Sequence, residues 1–327
     1  PSAEMVRFAK NGSDVTSAAV RLARAYTGRE RVLACGYHGW HDWYIGTTTR
    51  DLGVPGSVRG LTDRASANDP ETVATKLAEH PDGFAAIIVE PMLLDDPKAA
   101  LSEIRALADR SGTVLIFDEV VTGFRFALGG AQQLYGVTPD LTCLGKSMAN
   151  GMPLSAVTGR RDIMRLMEDI FFSGTFGGEA LSLAASLATI RKIHKQGVVE
   201  HLWTMGEQLQ TRLRRVIVKY GLGDLLSVTN EPCLGFIAVS EGRGNSQAVN
   251  RTFMLAEMIR HGVFMNGSLA ICHAFGEADL QKVAEAFDSF AKRFSRELEI
   301  PGLEARLPYP PITPIFMVRP PNAEKEG

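Results

Sequence analysis

The sequence predicts an α/β fold in which a mainly parallel sheet is flanked by helices, followed by a smaller C-terminal α+β domain. Short apolar runs alternate with stretches of helical periodicity, which is typical of βαβ units. From Leu225 onward this alternation gives way to a few strands and two amphipathic stretches. With 327 residues, of which 45% are hydrophobic, the chain can form two cores. We expect a large domain over 1–221 and a small domain with an extended, Pro-rich tail over 222–327.

The individual elements follow from local periodicity. Amphipathic helices are predicted where apolar residues recur at intervals of three and four, at 14–27, 98–111, 180–220, 246–261 and 277–297. Strands are predicted where a short apolar run is bounded by turn residues, at 31–37, 84–91, 113–120, 141–145, 155–159 and 233–240.

Charge and cysteine content limit the partners. Thirty-five basic and 37 acidic side chains give a formal charge of −2, so neither nucleic acid nor an anionic membrane is an expected partner. A small-molecule substrate is expected instead. The four cysteines form no CxxC pair, and His38 and His41 have no acidic or cysteine partner at ligand spacing, so no metal site is predicted. Since no signal peptide and no 18-residue apolar run is found, we expect a cytoplasmic protein.

The strand predicted at 113–120 ends in two carboxylates, Asp118 and Glu119. The carboxyl ends of parallel strands open onto the ligand crevice, so a ligand is expected beside them. A GKS triplet at 145–147 is compatible with a phosphate-loop ATPase, but the motif GxxxxGK[ST] requires glycine at the position of Asp140. Alternatively, Asp118 and Lys146 serve one heterocycle. The carboxylate would keep a pyridine nitrogen protonated, and the amine would form an imine with an aldehyde.

Two turns with glycine and a hydroxyl precede predicted helices and could bind phosphate. Gly12 and Ser13 stand at the start of the first helix, where free backbone N–H groups attract anions. Thr175 occupies a similar position in SGTFGG. For each turn an ordinary helix cap is the simpler alternative. Tyr37 follows a predicted strand and can stack on a ring, and His38 comes next in the same segment.

Taken in order, NGSD, YHGW, VEP, LIFDEVVTGFR, GVTPDLTCLGKSMANGMPLSAVTGRRDIM and SGTFGGEALSLAA resemble the class III, or subgroup II, aminotransferases. These enzymes have the fold type I of pyridoxal 5'-phosphate (PLP) enzymes, and the glutamate-1-semialdehyde aminomutase-like branch is the most similar. The resemblance covers about residues 5–298. It implies that Lys146 forms the Schiff base with PLP and that Asp118 pairs with the ring nitrogen. Val120 and Tyr37 are expected to cover the two faces of the ring.

The same resemblance implies the remaining contacts with PLP. Gly12 and Ser13 are expected to bind its phosphate, and His38 is included in the cofactor site as a neighbour of the stacking tyrosine. Thr175 is expected to reach the phosphate of the PLP in a neighbouring subunit. The resemblance therefore implies a homodimer with shared active sites.

Two departures from the family bear on the reaction. After VEP the chain has MLLDDP where many relatives have a Gly-Asn turn that contacts the ring hydroxyl, so that contact is not carried over and Glu90 is a weak candidate for the site. The segment YIGTTTRDLGVPGSVRGLT is compact where aminomutases carry a longer gating segment. We therefore expect an aminotransferase that moves an amino group from a donor to a keto or aldehyde acceptor by a ping-pong mechanism.

Other interpretations remain open. The chief alternative is intramolecular amino transfer of the glutamate-1-semialdehyde 2,1-aminomutase type, and a catalytically idle PLP-binding protein is a further one. Members of the family are longer than this sequence. The expected missing part is an N-terminal segment that contributes to the small domain and the substrate entrance.

Overall fold

The computed structural model describes residues 1–80, 82–229 and 231–313. Within these residues the chain forms two compact units that divide between Gln196 and Gly197. None of the described helices is both long enough and apolar enough to cross a membrane.

The first unit is built on a seven-stranded sheet. Its strands are β1 (Met5–Ala9), β2 (Arg31–Cys35), β3 (Thr62–Arg64), β4 (Phe84–Val89), β5 (Val114–Glu119), β6 (Leu141–Leu144) and β7 (Ser155–Gly159). Their order across the sheet is β1-β7-β6-β5-β4-β2-β3. The pairs β2–β3, β2–β4, β4–β5 and β5–β6 are parallel, whereas β7 runs antiparallel to both of its neighbours. The prediction of a mainly parallel sheet is confirmed.

Helices cover both faces of this sheet. They are α1 (Gly12–Thr27), α2 (Asp42–Ile45), α3 (Gly56–Arg59), α4 (Pro70–Glu79), α5 (Pro97–Ser111), α6 (Gly130–Tyr135), α7 (Arg161–Met164) and α8 (Ala180–Lys195), with 3-10 turns at Lys146–Met148 and Arg165–Glu168. All six residues of β4 are buried, because its side chains alternate between two cores. Ile88 packs with residues of α1 on one face, and Ile87 packs with residues of α5 on the other. A strand buried on both faces reads as a continuous apolar run, which explains FAAIIV.

Helix α1 begins at Gly12, two residues before the predicted start, because Asn11 caps it. The side chain of Asn11 accepts from the backbone N–H of Asp14 at 3.0 Å, and the Asp14 carboxylate accepts from the N–H of Asn11 at 3.3 Å. This reciprocal capping satisfies two donors that a helix start otherwise leaves unpaired. The backbone of Gly12 and Ser13 is therefore already helical.

The second unit is α+β. It contains α9 (Val198–Lys219), β8 (Leu226–Thr229), β9 (Leu234–Val239), α10 (Gln247–Arg260), β10 (Ser268–Ala270), α11 (Glu277–Glu297) and a 3-10 turn at Leu303–Arg306. The three strands form an antiparallel sheet in the order β10-β9-β8. Its core includes stacked phenylalanines of α10 and α11, with ring centroids of Phe253 and Phe294 5.3 Å apart.

The helical stretch predicted as continuous over 180–220 is two helices. Gly197 lies between them with φ 58°, a left-handed conformation that interrupts a helix. Helix α9 packs against α11 and β8 and so belongs to the second unit. The division between the units thus falls before α9, whereas the domain boundary predicted at 221/222 falls after it, because periodicity does not show which core a helix faces. The described part of the Pro-rich tail ends at residue 313, and 314–327 lie outside the described residues.

Candidate active site

The carboxyl ends of β2, β4, β5 and β6 and the start of α1 surround a cavity of about 490 Å³ in the first unit. Seven of the eight predicted site residues line it: Gly12, Ser13, Tyr37, His38, Asp118, Val120 and Lys146. The eighth, Thr175, lies on an exposed turn outside the lining. Residues that are far apart in sequence therefore meet at the sheet edge where ligands of α/β proteins bind.

Asp118 is held in one orientation by two donors. Its Oδ2 lies 2.9 Å from Nδ1 of His38, and its Oδ1 accepts from the backbone N–H of Val120 at 3.2 Å. His38 and Asp118 are only 2% and 5% exposed. The ring of His38 stacks with Trp43 and meets Tyr44 edge to face. His38 thus positions the carboxylate of Asp118.

The neighbouring carboxylate, Glu119, points away from the cavity. It is fully buried and accepts from Thr122 Oγ1 at 3.0 Å, from the backbone N–H of Gln132 at 3.1 Å and from the N–H of Ala131. Burial raises its pKa, although these donors oppose the shift. Because successive residues of a strand face opposite sides of the sheet, Asp118 lines the cavity, whereas Glu119 binds the backbone at the start of α6.

Lys146 begins the 3-10 turn after β6 and has φ 42°, a left-handed conformation that is uncommon for a residue with a side chain. Its carbonyl accepts from the N–H groups of Ala149 and Asn150 at 3.3 and 3.2 Å, which keeps the turn closed. Strained backbone of this kind is concentrated at functional sites. The turn brings the side chain of Lys146 to the cavity that Asp118 also lines.

The start of α1 forms a close-fitting wall of the cavity. A Cβ at Gly12 would lie 3.0 Å from Cγ1 of Val120, so a larger residue would require Val120 to shift by a few tenths of an ångström. Ser13 Oγ accepts from the N–H of Trp40 at 3.2 Å, and Thr16 Oγ1 donates to the carbonyl of His38 at 2.9 Å. These bonds join the YHGW segment to the helix start. The backbone N–H groups of the helix start and the Ser13 hydroxyl suit a phosphate group.

Two further residues of the site were weak or absent in the sequence-based prediction. Glu90 lines the cavity and accepts from the N–H of Tyr37 at 3.2 Å. Burial raises the pKa of Glu90 to about 7, and the nearby Asp118 acts in the same direction. Lys10 also lines the cavity, and its Nζ lies 2.8 Å from Oε1 of Glu179 and 3.0 Å from the carbonyl of Pro153. In the sequence, the VEP segment indicated Glu90, whereas no motif indicated Lys10.

The two histidines of YHGWHD do not act as a pair. His38 bonds to Asp118, whereas Nδ1 of His41 lies 2.8 Å from Ser17 Oγ. Among the described residues, no group of three or more His, Cys, Asp or Glu side chains is placed to hold a metal ion. The residues of the cavity instead fit an anionic, ring-shaped ligand that carries an aldehyde.

This fold is that of PLP-dependent aminotransferases. Residues 1–232 match the aminotransferase class-III family, and the chain belongs to that family, whose members depend on PLP. The structure is similar to the PLP internal aldimine form of the FumI protein of Sphingopyxis sp. MTA144, with a TM-score of 0.83 and 28% identity over 93% of this chain and 74% of that chain. The predictions of family and of fold type I are confirmed.

Two curated relatives carry the names of different activities. The chain is 32% identical to the 3-aminobutyryl-CoA aminotransferase of Cloacimonas acidaminovorans over 88% of its own length and 70% of that protein. It is 41% identical to the glutamate-1-semialdehyde 2,1-aminomutase of Thermomicrobium roseum over 68% of its own length. The chain spans 56% of the length of that aminomutase.

Proposed function

We propose that this chain transfers an amino group from an amino donor to a keto or aldehyde acceptor, with PLP bound in the cavity. The observation that carries the proposal is that Lys146 and Asp118 line one cavity, with Asp118 fixed by His38. When bound, PLP supplies an aldehyde for a lysine amine and a ring that accepts electrons from the substrate. The membership of the chain in a PLP-dependent family supports the same conclusion.

Each residue has a distinct task in this proposal. The amine of Lys146 would hold the cofactor through its aldehyde, and the same amine would be the base that moves a proton at the substrate. A well-placed base contributes about 10²- to 10⁴-fold in rate. Asp118 would pair with the ring nitrogen and favour its protonated form. Val120 and Tyr37 would pack against the ring, and Gly12 with Ser13 would bind the phosphate; all four residues line the cavity.

Intramolecular transfer, as in the aminomutase relatives, is the second candidate. The 41% identity to the aminomutase of Thermomicrobium roseum favours it, whereas the compact segment 44–62 favours transfer between two molecules. The two reactions differ in one requirement. An aminotransferase needs an added carbonyl acceptor for continued turnover, and an aminomutase converts a single substrate to its isomer without one.

We also infer a homodimer in which Thr175 completes the site of the partner subunit. The exposed turn that carries Thr175 is flanked by Phe171 and Phe176, which are 84% and 67% exposed, and such aromatic side chains are typical of an interface core. Mixing an inactive Lys146→Ala subunit with an inactive Thr175→Ala subunit should restore part of the activity. Mixed dimers without any restored activity would contradict shared sites. A cytoplasmic location remains part of the proposal, supported by the four free cysteines.

A panel of half-reactions tests the proposed activity. The protein is loaded with PLP, and the visible absorption band of lysine-bound PLP is followed while single amines and amino acids are added. A true donor should remove the band, and a carbonyl acceptor should restore it. A protein that shows the band but responds to no donor would be a PLP-binding protein without transfer activity, and a protein without the band would refute the proposal.

A further inference from the structure

The segment that carries Thr175 has little side-chain packing of its own. We call residues 171–179 the Thr175 turn. Of its nine residues, six are exposed, and Phe172 packs against the core of the first unit near the start of the turn. A backbone bond closes the turn locally, because the N–H of Gly177 donates to the carbonyl of Gly174 at 3.0 Å. This bond sets the local shape, and the place of the turn beside the sheet depends on polar bonds at its two ends.

Two arginines fix the start of the Thr175 turn. Nη2 of Arg7, on β1, donates to the carbonyl of Phe172 at 3.0 Å. Nη1 of Arg21, on α1, donates to the carbonyl of Phe171 at 2.7 Å. The start of the turn is therefore bonded to both a strand and a helix of the first unit.

The end of the turn is fixed by an ion pair. Lys10 lies between β1 and α1, and its Nζ lies 2.8 Å from Oε1 of Glu179 and 3.0 Å from the carbonyl of Pro153. The same carboxylate caps α8, because it accepts from the N–H groups of Leu181 at 2.8 Å and Ser182 at 3.1 Å. The bond from Lys10 and these donors lower the pKa of Glu179 to about 2, so the pair stays charged at neutral pH.

Lys10 also lines the cavity, so one ammonium group contacts both the cavity wall and the end of the Thr175 turn. We propose that Lys10, acting through Glu179, is a positioning residue that holds the Thr175 turn in place for the PLP site of the partner subunit. This inference rests on the proposed homodimer with shared sites. Because the turn serves the other subunit, the loss of Lys10 weakens the site of the partner more than the site in its own chain.

Three variants isolate the ion pair. Lys10→Met removes the ammonium and keeps a long, unbranched side chain. Glu179→Gln removes the charge and keeps an oxygen that can cap α8. The matched control is Lys76→Met, since Lys76 forms an ion pair of similar length and exposure, 2.7 Å from Glu79, within α4.

The first measurement is hydrogen exchange of the peptide that covers the Thr175 turn, on the protein without PLP. Exposed ion pairs contribute modestly, so Lys10→Met and Glu179→Gln should each speed the exchange by about two- to fivefold. The double variant should be no faster than either single variant, because both remove the same bond. Lys76→Met should exchange as the wild type does. Unchanged exchange in both Lys10→Met and Glu179→Gln would overturn the proposal.

The second measurement compares two mixed dimers, assembled from subunits with different affinity tags. In the first, a Lys10→Met subunit is paired with a Lys146→Ala subunit, so the one site with its lysine receives a Thr175 turn that Lys10 holds. In the second, one subunit carries both substitutions and the other is wild type, so the one site with its lysine receives a turn without Lys10.

The Kd for PLP, followed by the visible absorption band, should be about two- to fivefold higher in the second dimer than in the first. Equal values, or a higher value in the first dimer, would overturn the proposal, and so would a protein that is monomeric. A wild-type protein that never shows the band would refute the proposed function, and hydrogen exchange would then decide by itself whether Lys10 holds the turn.

Discussion

Replacement of Gly39 by alanine should weaken PLP binding without unfolding the protein. Gly39 has φ 100°, and a Cβ there would lie 2.9 Å from Cβ of Ser13, 3.1 Å from its Cα and closer still to its Oγ. Ser13 is the proposed hydroxyl donor to the phosphate. The substitution therefore acts on the proposed phosphate contact indirectly, by displacing Ser13.

The size of the effect follows from these distances. An ordinary contact of Cβ begins at 3.4 Å, so Cβ of Ser13 must retreat by 3.4 − 2.9 = 0.5 Å and its Oγ by more. Such a shift lengthens the bond between Ser13 Oγ and the N–H of Trp40, which is already 3.2 Å, beyond hydrogen-bonding distance. A hydrogen bond to a charged group contributes about 1.5–3 kcal/mol, so loss of the Ser13 contact should raise the Kd for PLP by about 10- to 100-fold.

Gly53→Ala is the matched control. Gly53 has φ 88°, which is also unfavourable for alanine, but no atom lies within 4 Å of a Cβ there. Both variants should lose stability through backbone strain, on the order of 1–3 kcal/mol. The assay is equilibrium titration of the protein without PLP, followed by intrinsic fluorescence, with urea unfolding in parallel. If Gly39→Ala binds PLP as tightly as Gly53→Ala, the assignment of Ser13 to the phosphate is refuted.

Three further predictions concern the site and its support. Lys146→Ala should abolish the visible absorption band of the PLP-loaded protein while leaving the far-ultraviolet circular dichroism unchanged, and a persistent band would remove Lys146 from the mechanism. Asp118→Asn, which removes the charge but not the bulk, should lower the transfer rate by about 10²-fold or more while PLP remains bound, and wild-type turnover would argue against ring protonation by this residue. Gly130→Ala would place a Cβ 2.6 Å from the carboxyl carbon of Glu119, whereas no atom lies within 4 Å of a Cβ at Gly136. Gly130→Ala should therefore destabilise the protein by about 2 kcal/mol more than the control variant Gly136→Ala. Equal unfolding midpoints of the two variants would contradict the overpacking.

The motifs of the sequence and the contacts of the structure agree most closely where chemistry constrains residue type. A lysine amine, an acidic strand end and a Gly-hydroxyl helix start each have few substitutes for their chemistry. For that reason Lys146, Asp118 and Gly12 could be predicted once their motifs were taken together, and each lines the same cavity. Their roles toward PLP remain predictions.

Contacts made across the sheet were less accessible from the sequence. The bond of His38 to Asp118 joins residues 80 positions apart, and the bond of Lys10 to Glu179 joins residues 169 apart. Neither pair has a local pattern, because a side-chain bond of this kind depends on strand order. Thr175 lies on an exposed turn outside the cavity lining, so its predicted contribution to a partner subunit concerns an assembly that a single chain does not contain.

The amino-acid sequence by itself determined the alternation of strands and helices, the family and the residues whose chemical groups PLP requires, because hydrophobic periodicity and reactive groups are local properties. Only the tertiary structure decided that His38 holds Asp118, where the helical stretch after residue 180 breaks, and how Glu90 comes to share a cavity with Lys146. These outcomes depend on side-chain alternation within a sheet of fixed strand order and on the space that glycines leave open. Both are set by packing between segments that are distant in sequence.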